Sequence, residues 1–235
     1  MPALNHVNRT NFVSFSGIDG AGKSTQIEAL RTLVERDGRR VIMIRFWDDI
    51  ARLARLRETT GHKVFKGEKG IGTPSAPINR RDKNVQSLPM TIVRLFIYFL
   101  DALSVRNAVK MALQSGADLV IFDRYIYDEL ANLALSRWPA RAFTRFLLKL
   151  VPAPDLAFVI DADPVAAQAR KPEYPLAFVR RNRDAYLELS TLARNISVLG
   201  PASIDTLRAT IKNEVGKRLT TQALATRTEL LSSAS

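Results

Sequence analysis

Residues 11–25 read NFVSFSGIDGAGKST, a short β-rich run that leads directly into a glycine-rich turn. The turn, Gly17 to Ser24, fits the phosphate-binding pattern G-x-x-x-x-G-K-[ST], whose glycines let the backbone wrap around an anion. The helix that follows adds its positive N-terminal end. In this pattern Lys23, which we expect in a solvated loop, reaches the β- and γ-phosphates of ATP, and the Ser24 hydroxyl binds Mg²⁺. The predicted nucleotide-binding residues are Gly17, Asp19, Gly20, Ala21, Gly22, Lys23, Ser24 and Thr25.

Apolar strand-like runs alternate with helical patterns along the rest of the chain. Strands are predicted at residues 11–16, 40–46, 118–122, 155–160 and 195–199, and longer helices at 23–36, 91–114, 127–150, 177–192 and 203–219. This alternation is typical of an α/β fold, a parallel sheet covered by helices on both faces. We expect the third of these helices, 127–150, to break at Trp138–Pro139, and the apolar first half of 91–114 to be buried.

The composition excludes several classes of site. The chain has 235 residues, 46% of them hydrophobic, so it can bury a core; it has no cysteine and two histidines, which excludes a disulfide framework and a histidine-rich zinc site. A net charge of +12 favours an anionic partner, although a solvated basic surface explains it equally well. No apolar run reaches the roughly 18 residues of a membrane helix, and residues 1–11 lack the apolar centre of a secretory signal. We therefore expect no membrane partner and a cytoplasmic protein.

Charged residues follow the third and fourth predicted strands, where the ligands of such folds lie. The glycine-rich turn Gly17 to Ser24 is a phosphate-binding loop, or P-loop. Asp123 ends a strand that we expect beside the strand that leads into the P-loop, where its carboxylate can hold Mg²⁺. Arg124 then projects into the same crevice and can grip a phosphate, or the two residues pair with each other or cap the next helix. Arg170 lies in a proline-bounded basic loop that can close over the transferring phosphoryl group. The predicted catalytic residues are Lys23, Asp123, Arg124 and Arg170, and the predicted metal ligands are Ser24 and Asp123.

Four segments resemble the thymidylate kinase family: FSGIDGAGKSTQ, VIFDRY, PDLAFVIDADP with its basic loop, and FVRRNRDAYLEL. The resemblance implies a P-loop kinase fold with a five-stranded parallel sheet, which moves the ATP γ-phosphate onto a deoxynucleoside monophosphate. It also implies that Asp19 contacts the acceptor sugar and Arg124 the acceptor phosphate. Some members carry an arginine in the P-loop where this chain has Gly20; those that lack it place the catalytic arginine in the lid, which points to Arg170 or its neighbours. We predict one P-loop kinase domain over 1–220 with an irregular basic insertion at 47–89, and a polar C-terminal tail at 221–235.

The chain departs from the family on the acceptor side. Arg45–Asp49 stands where the family has R-E-P-G-G-T, Asp101–Ala102 where it has a D-R pair that grips the acceptor phosphate, and Asp128–Asn132 where it has S-x-x-A-Y-Q. Arg94 and Arg106 lie near the same helical face as Ala102 and could reach in. The ATP side matches the family, so the resemblance implies phosphoryl transfer to dTMP or to a related small phosphorylated acceptor.

Two other functions stay open at this point. One is a kinase of a non-nucleotide metabolite, and the other is a nucleotide-binding regulatory module without transfer. The stretch from residue 52 to residue 83 holds nine basic and three acidic residues, but Phe65 is its only aromatic residue. Because single-stranded nucleic acids need stacking platforms, a nucleic-acid partner is not expected. For Arg180, Arg181 and Arg183, a functional role and a solvated helix face stay open, as does a homodimer.

Overall fold

The computed structural model describes residues 10–50, 88–193 and 195–233, so most of the predicted insertion at 47–89 lies outside the described residues. The helices and strands are β1 (Asn11–Ser16), α1 (Lys23–Arg36), β2 (Val41–Arg45), a π-helical turn (Phe46–Ile50), α2 (Leu88–Leu113), β3 (Leu119–Asp123), α3 (Ile126–Leu130), α4 (Trp138–Leu150), β4 (Leu156–Ile160), α5 (Pro164–Arg170), α6 (Leu176–Ser190), β5 (Ile196–Leu199) and α7 (Ile204–Ser233).

The strands form one parallel sheet with β1 at its centre. Its five strands lie in the order β2-β3-β1-β4-β5. Phe15 of β1 pairs with Asp123 of β3 on one side and with Phe158 of β4 on the other. All of β1 and β4 is buried, as expected for parallel strands that helices cover on both faces. This arrangement confirms the predicted fold class and brings the carboxyl ends of β1, β3 and β4 together.

Three helices differ from their prediction. The break expected at Trp138–Pro139 is wider than predicted: α3 ends at Leu130, and α4 begins at Trp138. Pro139 lies in the first turn of α4 because a proline, which lacks an N–H, costs nothing there. The prediction that the first half of α2 is buried was also wrong, since Ile92 and Phe96 are 65% and 59% exposed. The last helix, α7, continues to Ser233 through the predicted tail.

The helix predicted to begin at Asp163–Pro164 is present as α5. The Asp163 carboxylate accepts the N–H of Ala166 at 2.9 Å, which caps the first turn, and Pro164 is the first helical residue. Arg170 is the last residue of α5 and not part of a loop. Of the helices that the structure describes, none combines the length and apolarity needed to cross a membrane.

Candidate active site

The glycine-rich turn is held by backbone contacts on two sides. Gly17 and Gly20 have φ angles of 134° and 81°, which side chains rarely adopt. A Cβ on Gly17 would lie 2.5 Å from the carbonyl oxygen of Ile160, at the end of β4. A Cβ on Gly20 would lie 2.2 Å from the carbonyl oxygen of Ala167, in the middle of α5. The turn therefore packs so closely on β4 and α5 that no side chain fits at Gly20.

Lys23 lies inside this turn and not in a solvated loop. The residue is 7% exposed, and its Nζ donates to the carbonyl oxygens of Gly17 and Ile18 at 2.8 and 2.9 Å. Burial, and after it the positive charge of Arg124, lowers the pKa of Lys23 to about 8. The charges of Asp19, Asp128 and Asp123 act in the opposite direction. Lys23 therefore shares one electrostatic site with the residues that follow β3.

Ser24 and Asp123 offer the oxygen atoms that Mg²⁺ prefers. Ser24 and Thr25 are exposed at the N-terminus of α1, and Asp123 is half-buried at the end of β3. Within residues 10–50 and 91–220, no hydrogen bond or ion pair of a side chain engages the Asp123 carboxylate. A hydroxyl and an uncommitted carboxylate fit an ion that also takes phosphate and water oxygens. The same part of the chain holds no group of three or more acidic, histidine or cysteine side chains that could bind a metal ion by themselves.

Arg124 occupies a strained position between two carboxylates. Its φ of 68° makes it the one non-glycine residue with positive φ in the described part of the chain. Its N–H donates to the Phe15 carbonyl at 2.9 Å, which fixes the turn to β1. The guanidinium donates through Nη1 to Asp128 Oδ1 at 2.8 Å and through Nη2 to Asp19 Oδ1. Arg124 therefore neither pairs with Asp123 nor caps the next helix; it links the P-loop to α3.

Asp128 is a residue of this site that the sequence did not single out. The carboxylate is buried and accepts hydrogen bonds from Ser16 Oγ at 2.6 Å and from Tyr186 Oη at 2.7 Å, in addition to Arg124. Burial, followed by the Asp128 charge, raises the pKa of Tyr186 well above its usual value. The sequence offered two signals for it, the departure from S-x-x-A-Y-Q and the spacing of four residues from Arg124, but its partners Ser16 and Tyr186 lie far away in the chain.

The lid cation nearest the P-loop is Lys171 and not Arg170. The exposed Arg170 donates through Nε to the carbonyl of Ala166 in its own helix, at 3.1 Å. Lys171 Nζ lies 3.8 Å from Asp19 Oδ1 and 3.3 Å from Glu173 Oε1. Burial would raise the pKa of Asp19, but the charges of Arg124, Lys23 and Lys171 outweigh burial and lower it.

The arginines of α6 separate into two groups. Arg183 grips Asp161, at the end of β4, with Nε and Nη2 at 2.6 and 2.7 Å from the two carboxylate oxygens. This bidentate pair fastens α6 to the sheet beside the P-loop. Arg180 and Arg181 are exposed. Asp161 is therefore committed to Arg183, which leaves Asp123 as the better candidate for a metal ligand.

Arg106 of the long helix α2 lies away from the P-loop end of the sheet. Ala102 is 0% exposed and packs in the core. Arg106 donates to the carbonyl of Leu150 at 3.0 Å, at the end of α4, which leads into the opposite end of β4. Arg94 is half-buried and engaged in contacts of its own. Arg106 therefore does not replace the acceptor-binding arginine that the resemblance implies at position 102.

Comparison with known proteins places this geometry in a family. The model of the family described as "Thymidylate kinase" matches residues 15–211. The chain belongs to the thymidylate kinase family. It is 30% identical over 225 residues to the "Thymidylate kinase" of Bifidobacterium longum (strain DJO10A), covering 87% of this chain and 96% of that protein.

Two further relatives match a shorter part of this chain. The "Probable thymidylate kinase" of Pyrobaculum aerophilum is 30% identical, covering 75% of this chain and 81% of that protein. The one of Thermococcus gammatolerans is 31% identical, covering 80% and 86%. These matches confirm the recognised family and the predicted enzyme class, a kinase of the nucleoside monophosphate kinase type.

Proposed function

We propose that this enzyme transfers the γ-phosphate of ATP, in the presence of Mg²⁺, onto dTMP or a related small phosphorylated acceptor. The observation that carries the proposal is the shared electrostatic site: Lys23 of the P-loop lies in the field of Arg124, Asp19 and Asp123. A donor phosphate on the P-loop and an acceptor phosphate at Arg124 would therefore face each other.

Each residue has one proposed task in the transfer. The N–H groups of the P-loop bind the ATP phosphates, and Lys23 places its charge on the β- and γ-phosphates. Arg124 binds the acceptor phosphate, and Asp19 contacts the acceptor sugar. An oxygen of the acceptor phosphate attacks the γ-phosphorus, and the bond from that phosphorus to the β-phosphate oxygen breaks, which releases ADP. Arg170 or Lys171 of the lid stabilises the transferring group.

Ser24 and Asp123 are the residues proposed to hold Mg²⁺. The ion would neutralise charge on the ATP phosphates when it is bound. Ser24 presents its hydroxyl at the exposed N-terminus of α1, and Asp123 presents a carboxylate that the described side chains leave available. The chain itself binds the phosphates and orients the acceptor.

A different small acceptor is the second candidate. It is favoured by the buried Ala102 and by Arg106, which is bonded to Leu150 at the far end of the sheet. Residues 51–87, whose basic side chains could supply the missing cation, lie outside the described residues. A homodimer stays a prediction; Ile92, Val93 and Phe96 on α2 form an exposed apolar surface that a symmetric dimer would cover.

ADP release from ATP and Mg²⁺ tests the proposal with a panel of acceptors. The panel holds dTMP, the other nucleoside monophosphates, and sugar phosphates, and Lys23→Ala serves as the inactive control. Acceptor-dependent ADP release that needs Lys23 supports the kinase, and the best acceptor identifies its class. ATP binding without ADP release for any acceptor contradicts transfer and favours the regulatory module.

A further inference from the structure

Asp128 is the most completely engaged carboxylate near Arg124. Its Oδ1 accepts from Arg124 Nη1 at 2.8 Å and from Tyr186 Oη at 2.7 Å, and its Oδ2 accepts from Ser16 Oγ at 2.6 Å and from the Tyr125 N–H at 3.2 Å. Four donors are the full capacity of an anionic carboxylate. Its side chain is 1% exposed, so Asp128 cannot leave when a ligand arrives.

Asp19, the second carboxylate that contacts Arg124, is more exposed than Asp128. Asp19 is 24% exposed in its side chain, so an incoming ligand can displace it from the guanidinium. It also contacts Lys171, which in turn contacts Glu173. The ion-paired residues of this cluster are two cations, Arg124 and Lys171, and three carboxylates, those of Asp19, Asp128 and Glu173. Lys23 and Asp123, which act on the same site, add one charge of each sign. An acceptor at Arg124 therefore meets a cluster with a net negative charge.

We propose that Asp128 determines the specificity of the acceptor site, because its fixed negative charge offsets Arg124 and weakens the binding of a doubly charged phosphate there. The inference rests on the proposed function, in which Arg124 faces the acceptor. The site then prefers an acceptor phosphate that carries one negative charge over one that carries two, since such a group still uses the remaining guanidinium donors.

Asp128→Asn removes the charge and keeps almost the same shape. The amide oxygen can still accept from Arg124 and Tyr186. The amide nitrogen can donate to the Ser16 hydroxyl, but it also faces the Tyr125 N–H, whose 3.2 Å hydrogen bond is lost. Asp155→Asn is the matched control: the Asp155 carboxylate accepts the Phe12 N–H at 2.9 Å near the start of β1, at the opposite end of the sheet. Both variants lose one carboxylate charge, but only one of them loses it beside Arg124.

Calorimetric titration in the absence of ATP measures the affinity of the three proteins for dTMP and for uncharged thymidine. We expect Asp128→Asn to bind dTMP about 10–100-fold more tightly than the unaltered protein, as expected for a restored charge-assisted contact. Thymidine affinity should stay unchanged, and Asp155→Asn should match the unaltered protein. An unchanged or weaker affinity for dTMP, an equal gain for thymidine, or no measurable binding of dTMP by either protein overturns the proposal.

A second measurement needs no variant and covers the case in which Asp128→Asn fails to fold. The unaltered protein should bind the singly charged methyl ester of dTMP at least as tightly as doubly charged dTMP. A tenfold preference for the dianion overturns the proposal. Because these are binding measurements, their failure leaves the ADP-release test of the kinase independent, and failure of that test leaves these results standing.

Discussion

Replacing Gly20 by alanine tests how the lid helix rests on the P-loop. The Cβ would lie 2.2 Å from the Ala167 carbonyl oxygen, and separations under 3.0 Å are essentially never observed, so α5 must retreat or the turn must open. Gly38 provides the matched control. It has a similar φ of 73°, but a Cβ there meets nothing within 4 Å. The two substitutions therefore share a backbone cost and differ in crowding.

The two costs can be separated in magnitude. A left-handed backbone costs an alanine roughly 1–2 kcal/mol relative to glycine, and both variants pay it. Crowding against fixed backbone adds about 1–3 kcal/mol at Gly20 alone. For a domain of this size, 1 kcal/mol shifts the Tm by about 2–4 °C. Gly38→Ala should therefore lower the Tm by roughly 2–8 °C, and Gly20→Ala by a further 2–12 °C or so.

Thermal unfolding followed by circular dichroism, together with ADP-release kinetics, is the assay. If α5 retreats, Lys171 loses its position 3.8 Å from Asp19, so kcat should fall in Gly20→Ala and stay near normal in Gly38→Ala. Equal losses of Tm and equal kcat values in the two variants would refute the close packing of α5 on the P-loop.

Four more predictions follow from the same geometry. Lys23→Ala should lower the rate of ADP release about 10²–10⁴-fold; unchanged turnover contradicts the P-loop assignment. Because the pKa of Lys23 is lowered to about 8, the free enzyme loses this proton as the pH rises through that value, so ATP affinity measured by titration should fall above pH 8, and Lys23→Arg should lack the break. Lys171→Ala should lower kcat more than Arg170→Ala does, since the Arg170 side chain donates a hydrogen bond within its own helix; the reverse order would make Arg170 the lid residue that acts on the transferring group. Ala102 is 0% exposed and Leu103 is 40% exposed, so Ala102→Arg should lower the Tm several times more than Leu103→Arg; similar Tm shifts would show that the core around position 102 can accommodate an arginine.

The donor side of the site could be predicted from the sequence because its signals are local. The spacing of Gly17, Gly22 and Lys23 predicts a phosphate-binding turn without any knowledge of the sheet. Asp123 was expected at the end of a strand beside the P-loop strand, and the pairing of Phe15 with Asp123 confirms that placement. The π-helical turn at Phe46–Ile50 and the exposed face of α2 depend on tertiary packing, so no pattern in the sequence predicted them.

The acceptor side depends on contacts between residues far apart in the chain. Arg124 meets Asp19, which lies more than a hundred positions earlier, and Tyr186 reaches Asp128 across a separation of 58 residues. A single sequence carries no signal for such pairs. The sequence left the lid cation open between Arg170 and its neighbours; α5 ends at Arg170, and Lys171 is the neighbour whose Nζ lies 3.8 Å from Asp19.

The two sides of the site also differ in the kind of contact that holds them, main-chain contacts at the P-loop and side-chain contacts around Arg124. The P-loop is held by main-chain contacts, since Gly17 lies against the Ile160 carbonyl and Gly20 against the Ala167 carbonyl. A side chain at Gly17 or Gly20 would collide with backbone, whereas a Cβ at Gly22 would meet nothing within 4 Å. The acceptor half is built from side chains, with Arg124 set between the carboxylates of Asp19 and Asp128. A single substitution can reverse a charge in that half while the sheet and the P-loop stay as they are. On the proposed function, the P-loop half therefore keeps its ATP chemistry while a residue such as Asp128 changes which acceptor is bound.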